Sequence, residues 1–262
     1  MKIENFEIID KTLFWPKEKT LIIGDLHLGY ENYLNEHGWS VPKTQINRTI
    51  SNLNKILQKI VEKYGKLNEI ILLGDVKHFF GGILQDEFKD INKIITLLTK
   101  NLKKDHKIII TQGNHDVILL PIIKKYPQVK LKGYYIVKEV LFFHGNKEGF
   151  EKIGSGLFDK NIKTIVMAHF HPAITIAEDS KKEKYKCFLY GRSKELGNRK
   201  LIVVPSFFPL IEGYNILAGD LKLKGKLNVS NYELFALDGS NFSKVYDFGK
   251  VKKLQKKYLE NL

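Results

Sequence analysis

Cysteine is all but missing from this chain of 262 residues. Cys187 stands alone, so no internal disulfide can form, which favours an intracellular, cytoplasmic protein over a secreted scaffold. Long hydrophobic runs are missing too. The longest, VILLPII at 117–123, is far shorter than the roughly 20 apolar residues a membrane helix needs. The opening MKIENFEIID lacks the apolar stretch of a secretion signal, and no membrane partner is expected. Arginine is scarce: Arg48, Arg192 and Arg199 are its only representatives among 43 basic residues. Acidic residues number 29, leaving a net charge of +14. A positive field of that size attracts polyanions such as nucleic acid, although a lysine-rich proteome would produce the same excess. There is no internal repeat and no low-complexity linker.

What is present reads as an ordinary globular chain, with 43% hydrophobic and 27% charged residues, a balance that excludes disorder. Five apolar, β-branched segments stand out: TLIIG (20–24), EIILLG (69–74), KIIITQG (107–113), EVLFFHG (139–145) and KTIVMAH (163–169). Each reads as a buried strand, and each runs into a polar motif. Ile46, Ile50, Leu53, Ile56, Leu57, Ile60, Val61 and Tyr64 recur by threes and fours, as do Phe88, Ile91, Ile94, Ile95, Leu98 and Leu102. Both sets predict amphipathic helices. The later half is strand-rich (YYIV, KCFLY, KLIVV), and ELFALDGSNFSKVYDF carries an Asp238-Gly239 hairpin signal. The expected fold is α/β, a two-sheet αβ sandwich with flanking helices, its main domain over 1–249. Val251, Leu254, Tyr258 and Leu262 mark 250–262 as a basic amphipathic helical tail.

Six of the eight histidines fall at or just beyond these strand ends, in GDLHLG (24–29), GDVKH (74–78), GNHD (113–116), FHG (143–145) and AHFHP (168–172). Loops beyond strand ends are where αβ folds build their sites. One buried histidine is explained by packing; six are not, because each would need its own polar partner.

These five motifs, in this order, resemble the calcineurin-like metallophosphoesterase superfamily. GDLHLGYE, Pro42, Gln45 and VVPSFFPLIEGYN (203–215) are similar to an archaeal, ICC-like branch of predicted phosphoesterases related to SbcD-type repair nucleases. The resemblance implies a metallophosphoesterase domain with its metal site on loops at strand ends. By it, Asp25, His27, Asp75 and His171 would bind one divalent ion, and Asp75, Asn114, His144 and His169 a second, with Asp75 shared. Two such ions about 3.5–4 Å apart can share a water, bring its pKa towards neutrality and clamp the attacking and leaving oxygens of a phosphoryl transfer. The mixture of oxygen and imidazole ligands makes Mn²⁺ the first choice, with Mg²⁺, Fe, Zn or Ni as alternatives. His115 would face the substrate as a catalytic residue and protonate the leaving oxygen. Asp116 either caps the segment that follows or orients His115. Protein phosphatases of the superfamily carry GDxxDRG; here His78 takes the second Asp position and no Arg follows, which matches the repair-nuclease pattern instead. His78 could be a second catalytic group, touching substrate phosphate, or could pack in its loop.

Tyr30, Tyr33, Trp39, Phe79 and Phe80 flank the metal loops and either stack on bases or fill the core. The run Lys181, Lys182, Lys184, Lys186, Arg192, Lys194, Arg199 and Lys200 either grips a phosphate backbone or is a solvated face. The leading expectation is a dinuclear-metal phosphoesterase acting on nucleic-acid phosphodiesters, as a nuclease or end-processing enzyme. The alternatives are a small-molecule phosphatase or nucleotide phosphodiesterase, and a non-catalytic metal-stabilised nucleic-acid-binding protein. The length leaves no room for the large capping and helicase-binding segments of a full repair nuclease, so a partner ATPase or helicase stays an open expectation.

Overall fold

A computed structural model describes residues 1–82, 84–153, 161–178, 181–218, 227–238 and 244–260. In chain order the elements are β1 (Lys2–Ile3), β2 (Phe6–Ile9), β3 (Thr12–Trp15), β4 (Thr20–Ile23), α1 (Tyr30–Glu36), α2 (Gln45–Tyr64), β5 (Leu67–Leu72), α3 (Gln85–Lys100), β6 (Leu102–Thr111), α4 (Leu120–Ile123), β7 (Val129–Lys132), β8 (Tyr135–Val137), β9 (Val140–Phe143), α5 (Lys147–Ile153), β10 (Thr164–Met167), β11 (Pro172–Glu178), β12 (Lys181–Ser193), β13 (Arg199–Val203), β14 (Tyr214–Asn215), β15 (Glu233–Leu237), β16 (Val245–Lys250) and α6 (Val251–Glu260). Strands β1 to β7 form one sheet in chain order, and the others form a second around β14-β11-β12-β13-β10-β9-β8, with β15 and β16 joined through β12. Among the described residues no helix is long and apolar enough to cross a membrane.

The apolar runs are continuous because both faces of each central strand are covered. Leu21, Ile23, Ile70, Leu72, Ile108 and Ile110 point outward onto Leu53, Ile56 and Ile60 of α2 and onto Ile91, Ile94 and Leu98 of α3. The residues between them, Ile22, Ile71 and Ile109, point inward against Phe142, Val166, Phe188 and Ile202 of the second sheet. Leu141, Phe143, Ile165, Met167 and Val203 cover that sheet's outer face, packed with Ile153 of α5 and Val251 of α6. The result is the expected two-sheet sandwich with helices on both outer faces.

Two sequence expectations shift, and one stretch gains structure. Leu102 leaves the helical stripe: α3 ends at Lys100, and Leu102 opens β6 opposite Leu67. Phe88 is exposed, with the Lys125 ammonium 4.6 Å above its ring, while Glu87 takes the buried place beside it. Residues 1–15 add β1 to β3, an antiparallel extension of the first sheet. The β15–β16 hairpin forms, although Gly239 of its turn lies outside the described residues. The tail helix spans Val251–Glu260, with Leu262 likewise outside them.

Parallel pairing sets the position of the site. Ile23, Leu72 and Ile110 are in register at the ends of β4, β5 and β6, as are Phe143, Met167 and Val203 in β9, β10 and β13. The loops that carry the six motif histidines leave these strand ends along one edge of the sandwich.

Candidate metal centre

Asp25 and His27 follow β4, Asp75 and His78 follow β5, and Asn114 and His115 follow β6; His144 follows β9, and His169 and His171 follow β10. Four of them have left-handed backbones: His27 (φ 42°), Asp75 (45°), His169 (68°) and His171 (44°). Such conformations cost on the order of 1–3 kcal/mol each and persist where the surroundings over-determine them. Gly74 (φ 84°) turns so tightly that a Cβ there would lie 2.7 Å from both His144 Nδ1 and the Thr111 carbonyl oxygen.

Two ligand-like clusters result. In the first, His171 Nε2 is 3.3 Å from Asp25 Oδ1, His27 Nε2 is 3.4 Å from His171 Nε2, and Asp75 Oδ2 is 3.8 Å from His27 Nε2. In the second, His144 Nε2 lies 3.2 Å from Asp75 Oδ2, 3.2 Å from Asn114 Oδ1 and 3.0 Å from His169 Nδ1. Ligand atoms about 2.1 Å from one ion at tetrahedral or octahedral angles stand roughly 3.0–3.4 Å apart, so most of these spacings fit a shared cation. His144 Nδ1 donates to the Leu73 carbonyl oxygen at 2.6 Å, which leaves the Nε2 lone pair pointing into the cluster. Asp25 Oδ1 is buried and accepts no hydrogen bond among the described residues. A buried carboxylate oxygen facing imidazole nitrogens is satisfied by a cation.

The electrostatics agree. Burial opposes ionisation of Asp25, yet the adjoining His171 and His144 hold it well below the carboxylate range. Burial likewise opposes ionisation of Asp75, and His144 and His27 overcome it. Burial drives His27 down to about 3, keeping its ring neutral and able to ligate. Burial also disfavours the His144 imidazolium, but Asp75 and Asp25 raise it to about 9, so a cation entering there displaces a proton.

His115 stands beside the clusters. Its N–H donates to Asp75 Oδ1 at 2.9 Å, its Nδ1 donates to the His78 carbonyl oxygen, and its Nε2 is 3.9 Å from Asp75 Oδ2. His78 stacks on it, ring centres 5.0 Å apart, and places Nδ1 3.3 Å from His27 Nδ1. Burial, reinforced by His115, lowers His78 to about 4. His27, His78 and His115 thus make a third group of nitrogens within ligand reach.

The family model for calcineurin-like phosphoesterases matches residues 18–219. The chain belongs to this family. It is a metal-dependent phosphoesterase, and divalent metal supplies the family's electrophilic assistance to phosphoryl transfer. No curated protein matches the chain by sequence. Among solved structures, the nuclease MPE of Pseudomonas putida is 14% identical, with 93% of this chain and 94% of that one covered and a TM-score of 0.57, a likeness of fold. An archaeal phosphodiesterase (12% identity, 87% and 98% covered, TM-score 0.38) and a Vps29 mutant from Entamoeba histolytica (13%, 88% and 99%, 0.34) are also similar.

Asp116 of this phosphoesterase neither caps a helix nor bonds to the His115 side chain. It is buried and staples two metal loops, with Oδ1 accepting from Val76 N at 2.9 Å and Oδ2 from Gly113 N at 3.0 Å. Two further residues escaped the sequence reading. Glu87, at the start of α3, accepts from the backbone N–H groups of His78 (2.8 Å) and Phe79 (3.0 Å). Lys77 is buried with Nζ donating to the Phe79 carbonyl oxygen. Together they fix the loop that presents His78 and Phe80. An acid three residues into a helix would have pointed to Glu87; no sequence signal marks Lys77.

The basic run divides. Lys186 is buried, with Nζ 2.7 Å from the Ser206 carbonyl oxygen, so it cannot grip a phosphate. Because β12 runs antiparallel to β13, Lys181, Lys182 and Lys184 lie towards the metal edge and Arg192, Lys194, Arg199 and Lys200 towards the opposite one. Strand alternation puts Lys182 and Lys184 on the same face as Lys186 and Phe188, the face that meets the other sheet. Of the aromatics, Tyr30 and Tyr33 set their edges on the His78 ring at 4.6 and 5.1 Å. Trp39 and Phe80 are open to solvent, and the Phe80 ring lies 3.8 Å from that of His115.

Proposed function

We propose that this phosphoesterase hydrolyses phosphodiester bonds of nucleic acid in the cytoplasm, as a nuclease or end-processing enzyme. The observation that carries the reading is Phe80. Its ring touches His115 yet is 56% exposed, offering a stacking surface for a base beside the reacting phosphate. Support comes from the net charge of +14, from Lys181, Lys182 and Lys184 on the metal-edge hairpin, and from the fold shared with a nuclease. Asp25, His27, Asp75 and His171 form one metal half-site, and Asp75, Asn114, His144 and His169 the other. The mixed donors favour Mn²⁺. His115, anchored through Nδ1, keeps Nε2 towards the clusters to protonate the leaving oxygen. His78, neutral at pH 7, donates to a phosphate oxygen without adding charge.

The test uses metal-loaded His115→Ala protein titrated with oligonucleotides at several salt concentrations. Log affinity should fall against log salt by about 0.9 per neutralised phosphate on duplex and about 0.7 on single strands. Changing Lys181, Lys182 and Lys184 to Gln should flatten that slope, and Phe80→Ala should weaken single-strand binding by an amount equivalent to about 1–3 kcal/mol. No binding near 100 mM salt would overturn the reading in favour of a small phosphoester substrate.

A further inference from the structure

Behind the Asp25 loop lies a buried lysine that the chemistry above does not use. Lys186 projects from β12 into the space between the sheets and is 7% exposed. Its Nζ donates to the carbonyl oxygens of Ser206 (2.7 Å) and Phe208. That loop follows β13 and closes over Asp25 from the opposite sheet. The Asp25 carbonyl oxygen receives Phe207 N at 3.0 Å, Phe208 N at 3.3 Å and Ser206 Oγ at 3.3 Å, and Phe208 N also lies 3.2 Å from Ser206 Oγ. The approach is close enough that a Cβ on Gly24 would stand 2.5 Å from the Pro205 carbonyl oxygen. Lys11, fully buried, places its ammonium 4.6 Å from the Phe207 ring centre and braces the same loop.

We infer that Lys186 is a positioning residue for the Asp25–His27–His171 half of the metal centre, acting through the Ser206–Phe208 loop. Three donors on one carbonyl oxygen tie the backbone of Asp25 to that loop, and Lys186 is the buried cross-piece that holds the loop in place. A carbonyl oxygen that loses its donor in the interior must find another partner or move. Any such movement reaches Asp25 first. The other half of the centre has anchors of its own, His144 at the Leu73 carbonyl oxygen and the Asp75 carboxylate at the His115 N–H, and meets the Asp25 loop through the His169 N–H on Asp25 Oδ2 and the Asp75 carbonyl oxygen. The inference concerns ion binding and stands apart from the identity of the substrate.

The test is Lys186→Met, which keeps the length and removes the donors. Metal-stripped protein is titrated with Mn²⁺ by calorimetry, with His27→Ala and Asn114→Ala as references that identify each half-site. The expected result is that one ion binds as in wild type while the ion sensitive to His27→Ala binds 10–100-fold more weakly, the range for residues supporting a metal ligand. A purely structural lysine would lower the melting temperature and leave both affinities alone, or weaken both equally; either outcome in folded protein overturns the inference. If Lys186→Met does not fold, Ser206→Ala decides. It removes the hydroxyl donor to Asp25 and leaves Lys186 in place, and it should weaken the same ion selectively. Wild-type affinity for that ion in Ser206→Ala would overturn the inference equally.

Discussion

A methyl group added at Gly113 would stand 2.2 Å from Asp75 Oδ1 and 2.4 Å from the Asp75 nitrogen. Side-chain carbons essentially never approach other heavy atoms within 3.0 Å, so the carboxylate or the loop must retreat by about 0.8 Å, several times the roughly 0.2 Å tolerance of a metal–ligand bond. Asp75 has little freedom to absorb this. It is 2% exposed, its backbone is left-handed, and its Oδ1 accepts the His115 N–H. Because the carboxylate faces both clusters, Gly113→Ala should weaken both ions rather than one, by about 100-fold or more, with a comparable loss of turnover, since a misplacement of about 1 Å costs that much. Gly82→Ala is the control: among the described residues a Cβ there meets only Phe79 Cε1, at 3.8 Å. The assay is Mn²⁺ titration of stripped protein, paired with hydrolysis of a chromogenic phosphodiester. Gly113→Ala protein that binds two ions with wild-type affinity would refute the placement of Asp75 between the half-sites.

His115→Ala should retain both ions and lose about 10²–10⁴-fold in turnover, with a smaller loss for a nitrophenol leaving group that needs little protonation. Equal losses for good and poor leaving groups would remove the acid role. Burial pulls the Lys11 ammonium from 10.5 down to about 8. The unfolded chain therefore binds more protons between those values, and the Lys11 contribution adds stability as pH rises through them. Burial pushes the Cys187 thiol well above its ordinary value, which acts oppositely over part of that range, so the informative quantity is a difference. In urea denaturation of metal-free protein, the stability advantage of Lys11→Met over wild type should shrink by about 2–3 kcal/mol between roughly pH 7.5 and pH 10, and a constant gap would contradict the burial argument.

Much of the centre was legible in the sequence because one physical cause wrote both halves of each motif. A strand covered on both faces must be apolar throughout, as at Ile70 to Leu72, and the polar residues that follow it stand out against that background. The side chains those motifs supplied come together in two clusters, Asp25 with His27 and His171, and Asp75 with His144 and His169. The parts that escaped depend on contacts distant in sequence. Glu87 and Phe88 exchange their expected environments because two backbone N–H groups of the His78 loop need an acceptor more than the core needs another ring. Lys184 and Lys186 are two residues apart, yet one reaches solvent and the other supports the Asp25 loop. Their difference lies in the partners each ammonium meets, Glu212 for Lys184 and the Ser206 and Phe208 carbonyl oxygens for Lys186. The strands β1 to β3 are two to four residues long, too short for an alternating pattern to separate itself from chance.

The division of the centre between the sheets also bears on how the molecule is held together. Asp25, His27, Asp75 and Asn114 come from loops of the first sheet, and His144, His169 and His171 from loops of the second. On the proposed ligand assignment, neither set closes around an ion until the sheets have docked. Ion binding and docking are therefore one linked equilibrium, and an ion at about 1,000 times its dissociation constant adds about 4 kcal/mol to the closed sandwich. On that assignment, stripping the centre removes a clasp at one edge of the inter-sheet core.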